Sequence, residues 1–116
     1  MPTDVKSFDK ADDVKELNRT RLEIVHVGAV TFTRITLQPD WRWENDVQPT
    51  AGTRTCMAPH SQTILSGHLH ITMDDGTEFT LGPGDVARIE PGHLAYVIGQ
   101  EPVVAIEVED YVAKNW

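Results

Sequence analysis

The sequence predicts an all-β domain, an antiparallel sandwich or jelly-roll barrel. Short runs rich in Val, Ile and Thr recur along the chain, and Gly- and Pro-bearing turn signals separate them at short intervals. Nothing repeats internally and no linker divides the chain, so one domain is expected. Residues 4–20 are polar and lack the apolar period of a stable helix, with room only for a short helix or turn from Asp12 to Leu17. Residues 1–20 therefore read as an N-terminal arm that packs on the barrel or a partner subunit, and 21–116 as the barrel.

Strands are expected over 22–27, 30–37, 53–57, 62–66, 69–73, 77–81, 86–89, 95–98 and 103–109. Asp74-Asp75-Gly76 closes a tight hairpin, with glycine where positive φ is wanted. Gly82-Pro83-Gly84-Asp85 and Glu90-Pro91-Gly92 mark sharper reversals. The acidic run Glu107-Val108-Glu109-Asp110 reads as a solvated edge.

Composition excludes several function classes. With 116 residues, 40% of them hydrophobic, the chain can bury a core without disulfides, and its single cysteine rules out an internal disulfide framework. A formal net charge of −8 repels phosphate backbones and anionic lipid, which argues against nucleic acid and membrane surfaces as partners. No apolar run approaches the roughly 20 residues of a membrane-spanning helix, and the first residues carry charge where a signal peptide needs an apolar stretch. A cytoplasmic protein is expected. No nucleophile with an adjacent base, phosphate-cradling loop or dinucleotide fingerprint is present.

Two glycine-anchored segments carry the strongest signal: Gly52-Thr53-Arg54-Thr55-Cys56-Met57-Ala58-Pro59-His60 running to Gly67, and Gly84-Asp85 running to Pro91-Gly92-His93. With them, the stretch from Pro39 to about Val108 resembles the cupin superfamily, whose signatures are G(X)5HXH(X)3–4E(X)6G and G(X)5PXG(X)2H(X)3N. Gly67 takes the closing glycine of the first, with His60 in the Glu slot and Cys56 and Arg54 in the two His slots. Gly84 and Gly92 hold the second, with Glu90, Ala95 and Gly99 in its Pro, His and Asn slots. Trp41-Arg42-Trp43 and Asp74-Asp75-Gly76-Thr77-Glu78 make the chain similar to small single-domain bacterial cupins. Pro91-Gly92-His93 belongs to the same likeness, and where that group reads Asp-Ala-Trp after it, this chain reads Leu94-Ala95-Tyr96.

The resemblance implies a double-stranded antiparallel β-helix, a homodimer sharing edge strands, and a small organic ligand. In the cupin register Arg54 and Cys56 share one inward face, and His93, Ala95 and Val97 another. Cys56, His60 and His93 then form a metal site of one thiolate and two imidazoles, with a position left open. Such donors suit zinc or copper, and iron is also admitted. Trp41 and Trp43 are expected as an aromatic wall for the ligand, Trp43 being nearer the loop into Gly52. Gln62 shares parity with His60 and would orient a ligand, and Tyr96 would offer a phenol. Arg54 would bind a carboxylate or pair with Glu90 or Glu44. His68 and His70 flank Leu69 on the face opposite Leu69 and Ile71, so solvent or a subunit interface is expected for them.

The function expected is a small-molecule cupin with a non-standard metal site, extending to a metal-dependent enzyme of dioxygenase, isomerase or lyase type. The alternative is a non-catalytic binding or sensor module with a degenerate metal site. A third possibility is an interaction protein that uses the barrel as a dimer scaffold.

Overall fold

The computed structural model describes residues 3–116. After a 3-10 turn at Phe8–Lys10 come β1 (Asp13–Leu17), β2 (Thr20–Val27), β3 (Val30–Leu37), α1 (Trp43–Asp46) and α2 (Gln48–Ala51). They are followed by β4 (His60–Ser66), β5 (His68–Met73), β6 (Glu78–Leu81), β7 (Val86–Ile89), β8 (His93–Ile98), β9 (Val103–Glu107) and α3 (Tyr111–Asn115). The strands form a six-stranded sheet in the order β1-β2-β3-β9-β4-β7 and a three-stranded sheet in the order β6-β5-β8. All of the strand pairs are antiparallel. No helix among the described residues is long and apolar enough to cross a membrane.

Alternation decides which side chains face the interior. Thr33, Ile35 and Leu37 on β3 point inward, as do Val103, Ala105 and Glu107 on β9 and His60, Gln62 and Ile64 on β4. Register then stacks these residues in rows across the sheet. Thr33, Glu107 and Gln62 form one row, and Ile35, Ala105 and Ile64 form the next. From the facing sheet, Leu69 and Ile71 on β5 and Ala95 and Val97 on β8 complete an aliphatic core.

Four segments differ from the expectation. Residues 13–17 form edge strand β1, a hairpin with β2 in place of a helix or turn. Its backbone pairing, the partly buried Leu17 and Lys15, which reaches the Ala113 carbonyl, tie it to the barrel, and with so few apolar side chains its sequence shows no strand period. Residues 53–57 form no strand, and Cys56 alone makes an isolated bridge, to His93. Two short helices fill 43–51: the Asp46 carboxylate accepts from the Arg42 backbone N–H at 3.0 Å, and Gly52 ends the second helix at φ 74°. The last strand stops at Glu107, and α3 folds back over the barrel mouth. Farther toward the N-terminus, Phe8 packs under the Arg34 guanidinium, which bonds Glu23, covering the outer face of β2 and β3.

Gly67 closes the β4–β5 corner at φ 78°, where a Cβ would sit 2.4 Å from the Pro102 carbonyl oxygen. Gly84 is also left-handed, at φ 88°, but nothing lies within 4 Å of its missing Cβ. Gly84→Ala should therefore cost only backbone strain, about 1–2 kcal/mol, whereas Gly67→Ala adds a backbone clash and should cost more than about 3 kcal/mol. Denaturant unfolding of the two variants measures the difference, and equal losses would contradict the packing argument.

Candidate metal centre

Three side chains meet at one end of the barrel because three separate pieces of backbone deliver them. The Cys56 N–H donates to the His93 carbonyl at 2.8 Å and the Gly92 N–H donates to the Cys56 carbonyl at 2.8 Å, which fixes the irregular 52–59 segment beside the start of β8. His60 opens β4 and His93 opens β8, both on the inward parity. The ligating atoms of Cys56, His60 and His93 all lie within 4.8 Å of one another, and all three residues are buried. Cys56 Sγ is 3.7 Å from His60 Nε2, and the two imidazoles are 5.1 Å apart at 59°.

Both imidazoles are anchored from behind. His93 Nδ1 donates to the Glu90 carbonyl at 2.8 Å, and His60 Nδ1 donates to Glu107 Oε1 at 2.5 Å. Each bond fixes the tautomer that leaves Nε2 with a free lone pair, the arrangement by which protein imidazoles are held for a metal. The donor set also fits by size. Sulfur and nitrogen ligands of a tetrahedral ion, at about 2.3 and 2.0 Å from it, lie roughly 3.5 Å apart.

Glu107 is the residue that sequence reasoning missed. It is 0% exposed, in contrast to the solvated edge expected for 107–110. Its parity with Val103 and Ala105 on β9 was the available signal, and the following Glu109 and Asp110 masked it. Those two do face solvent, with Glu109 bonded to Arg88 and Asp110 to Lys114.

The expected ligand residues separate into two groups. Trp41, Trp43 and Gln62 line a cavity of about 30 Å³ beside the three ligating residues, walled otherwise by aliphatic side chains and by Trp116. Trp41 is anchored by its indole N–H to Thr20 Oγ1 at 2.9 Å and stacks on Trp116 at 6.4 Å. Trp43 is buried, and its indole N–H has no partner among the described residues. Trp43, Cys56 and Trp116 also line a second, outer pocket of about 260 Å³ under α3. Arg54 and Tyr96 do not join the cavity. Arg54 is exposed on the irregular segment, where strand parity does not apply, while Glu44 faces Arg42 and Glu90 pairs with Arg88. Tyr96 alternates outward from His93 and Ala95, under the Arg42 guanidinium at 4.5 Å and beside His70 at 5.0 Å. His68 is exposed, and His70 bonds Glu78 at 2.9 Å on the same outer face.

Residues 40–116 match the family model of the EutQ-like cupin domain. The chain belongs to that cupin family. Solved structures share its fold at low identity. A Rhizobium leguminosarum protein of unknown function has a TM-score of 0.66 and 17% identity, over 93% of this chain and 96% of that one. An uncharacterised Klebsiella pneumoniae protein with a double-stranded β-helix domain has 0.57 and 19%, over 90% and 81%. Fe(II)-HppE, solved with the alternative substrate (S)-1-HPP, has 0.60 and 9%, over 90% of this chain and 58% of that one. No curated protein matches this chain.

The electrostatics of this cupin favour a charged pair at its centre. Burial pushes the Cys56 thiol up, but the neighbouring His60 and His93 outweigh it, and the pKa is lowered to about 6. Burial disfavours the His60 imidazolium, yet Glu107 and Cys56 prevail and raise its pKa to about 10. Between those values the metal-free protein holds a thiolate beside an imidazolium. Thiolate absorbance of the only cysteine should therefore appear near pH 6, and His60→Ala should move the transition upward by removing the opposing charge while burial remains. A midpoint unchanged by that substitution would show that His60 does not stabilise the thiolate.

Proposed function

We propose that this cupin holds a divalent transition metal on Cys56, His60 and His93 and binds a small organic molecule beside it. One observation supports the reading above the others: two imidazoles tied at Nδ1 turn their Nε2 atoms toward a buried thiolate. Zinc, copper and iron all suit that donor set. When bound, such an ion acts as a Lewis acid toward a carbonyl or enolate oxygen, or as a centre for dioxygen chemistry. The likeness to Fe(II)-HppE supports a barrel of this shape as a host for a metal.

The 30 Å³ cavity has room for about two waters, each needing at least roughly 10–15 Å³. A metabolite-sized ligand therefore places its bulk in the outer pocket of about 260 Å³ and reaches inward past Trp43 and Trp116. Gln62 presents an amide to the inner cavity, and the unpartnered Trp43 N–H offers a donor to an oxygen of the ligand. A second reading, a non-catalytic binding or sensor module, is favoured by one feature. Tyr96, the phenol expected in the pocket, faces outward.

Metal analysis of gently purified, untagged protein should find close to one transition-metal ion per chain. His60→Ala or His93→Ala should abolish it, and His68→Ala and His70→Ala should leave it intact. Retention in the His60 and His93 variants would move the site elsewhere, and no metal even after reconstitution would favour the second reading.

Proton linkage provides a separate check. To bind metal, His60 must release the proton that its raised pKa of about 10 retains, while Cys56 is already a thiolate above about 6. Apparent affinity should thus rise with pH, by about tenfold per unit from roughly 6 to 10, and more steeply below 6 where the thiol must also ionise. Competition titrations against a chelator measure that slope, and a flat profile would remove His60 from the ligand set.

A further inference from the structure

Glu107 is a carboxylate with no exposure, yet among the described residues no lysine or arginine pairs with it. Its Oε1 accepts from His60 Nδ1, and its Oε2 has no hydrogen-bond partner. Beside it in the same row, Thr33 Oγ1 is also buried without a partner. In the metal-free protein the His60 imidazolium compensates the Glu107 carboxylate, but a metal on His60 Nε2 displaces that proton, so the ion itself must then supply the positive charge. The far side of the same imidazole faces Cys56, whose thiolate would add a second negative charge within this buried region.

We propose that Glu107 is a positioning residue that holds His60 by Nδ1 and, through its buried charge, makes Cys56, His60 and His93 a site for a divalent ion rather than a monovalent one. The proposal rests on the metal-binding reading above. The charge count carries it. One thiolate and one carboxylate balance a dication, whereas a monocation such as Cu(I) leaves one negative charge unbalanced inside an aliphatic barrel, where charge is poorly screened. Thiolate and imidazole donors alone accept either ion. The selective element is therefore the carboxylate behind His60, which touches no metal. Geometry separates its two roles: a glutamine at 107 can still accept the His60 Nδ1–H bond through its amide oxygen, and lacks only the charge.

The test is a pair of titrations of the metal-free full chain, with Zn(II) against a chromophoric chelator and with Cu(I) under anaerobic conditions against bicinchoninate. Glu107→Gln should weaken Zn(II) binding by about ten- to a hundredfold, the range for loss of an outer-shell partner, and Cu(I) binding by only the square root of that factor, about three- to tenfold, because the lost attraction scales with the ion's charge. Equal weakening of both ions would reduce Glu107 to a structural residue, and unchanged affinities would remove it from the site. Failure of the wild-type protein to bind either ion would overturn the metal reading itself, an outcome distinct from the other two. Should Glu107→Gln fail to fold, nitrogen NMR of the zinc-loaded wild-type protein decides the positioning role. The expected pattern is His60 with a protonated Nδ1 and a metal-bound Nε2, and the opposite tautomer would overturn it.

Discussion

The 2.5 Å hydrogen bond from His60 to Glu107 is the interaction around which the barrel interior is organised. It links β4 to its neighbour β9 inside the core, so both strands must carry a polar group on their inward faces at one end. The next rows restore an apolar interior, with Ile35, Ala105 and Ile64 followed by Leu37 and Val103. That division has an energetic reason. An ionisable pair in a low-dielectric site is costly when water cannot reach it, and is tolerated when opposite charge and hydrogen bonds are held in place by close packing. The aliphatic rows supply the rigidity, and the polar row supplies the reactive groups.

The cluster of Cys56, His60 and His93 also shows how a barrel of this shape can carry potential donors of other types and positions than the signature's. The second cupin signature places a histidine where this chain has Ala95, and His93 lies two residues earlier on the same strand. A shift of two preserves the direction of the side chain and moves it by about 6.6–6.8 Å along the strand. Cys56 occupies a His slot of the first signature and is held beside His93 because its backbone is hydrogen-bonded to the 92–93 backbone. His60, in the slot where the signature has Glu, completes the group from across the barrel. Strand parity keeps His60 and His93 inside and the bonds to the 92–93 backbone keep Cys56 there, even though the residue types differ from the signature.

Closure of the site comes from outside the strands. α3 carries Trp116 onto Trp41 and edge-on to His60 at 6.1 Å, which separates the small inner cavity from the wider pocket beneath the helix. Lys15 on edge strand β1 holds this helix by donating to the Ala113 carbonyl at 2.6 Å. The N-terminal hairpin, which makes no contribution to the ligand set, thus positions the wall beside it.

Alternation and turn chemistry in the sequence determined the all-β class, most strand positions, and the inward parity of His60, Gln62, His93, Leu69 and Ile71, because a period of two is a local property of the backbone. The motif spacing likewise singled out Cys56, His60 and His93 before their contacts were known. Only the tertiary structure decided the rest. β1 exists through pairing with β2, and Arg54 lost its predicted direction because residues 53–57 are irregular. Glu107 is the decisive case: its sequence context is acidic and reads as surface, and its burial depends on β3 and β4 flanking β9 and on an imidazole 47 residues away. A local pattern can specify which residues share a face, but whether a polar face is enclosed depends on contacts made across the whole chain.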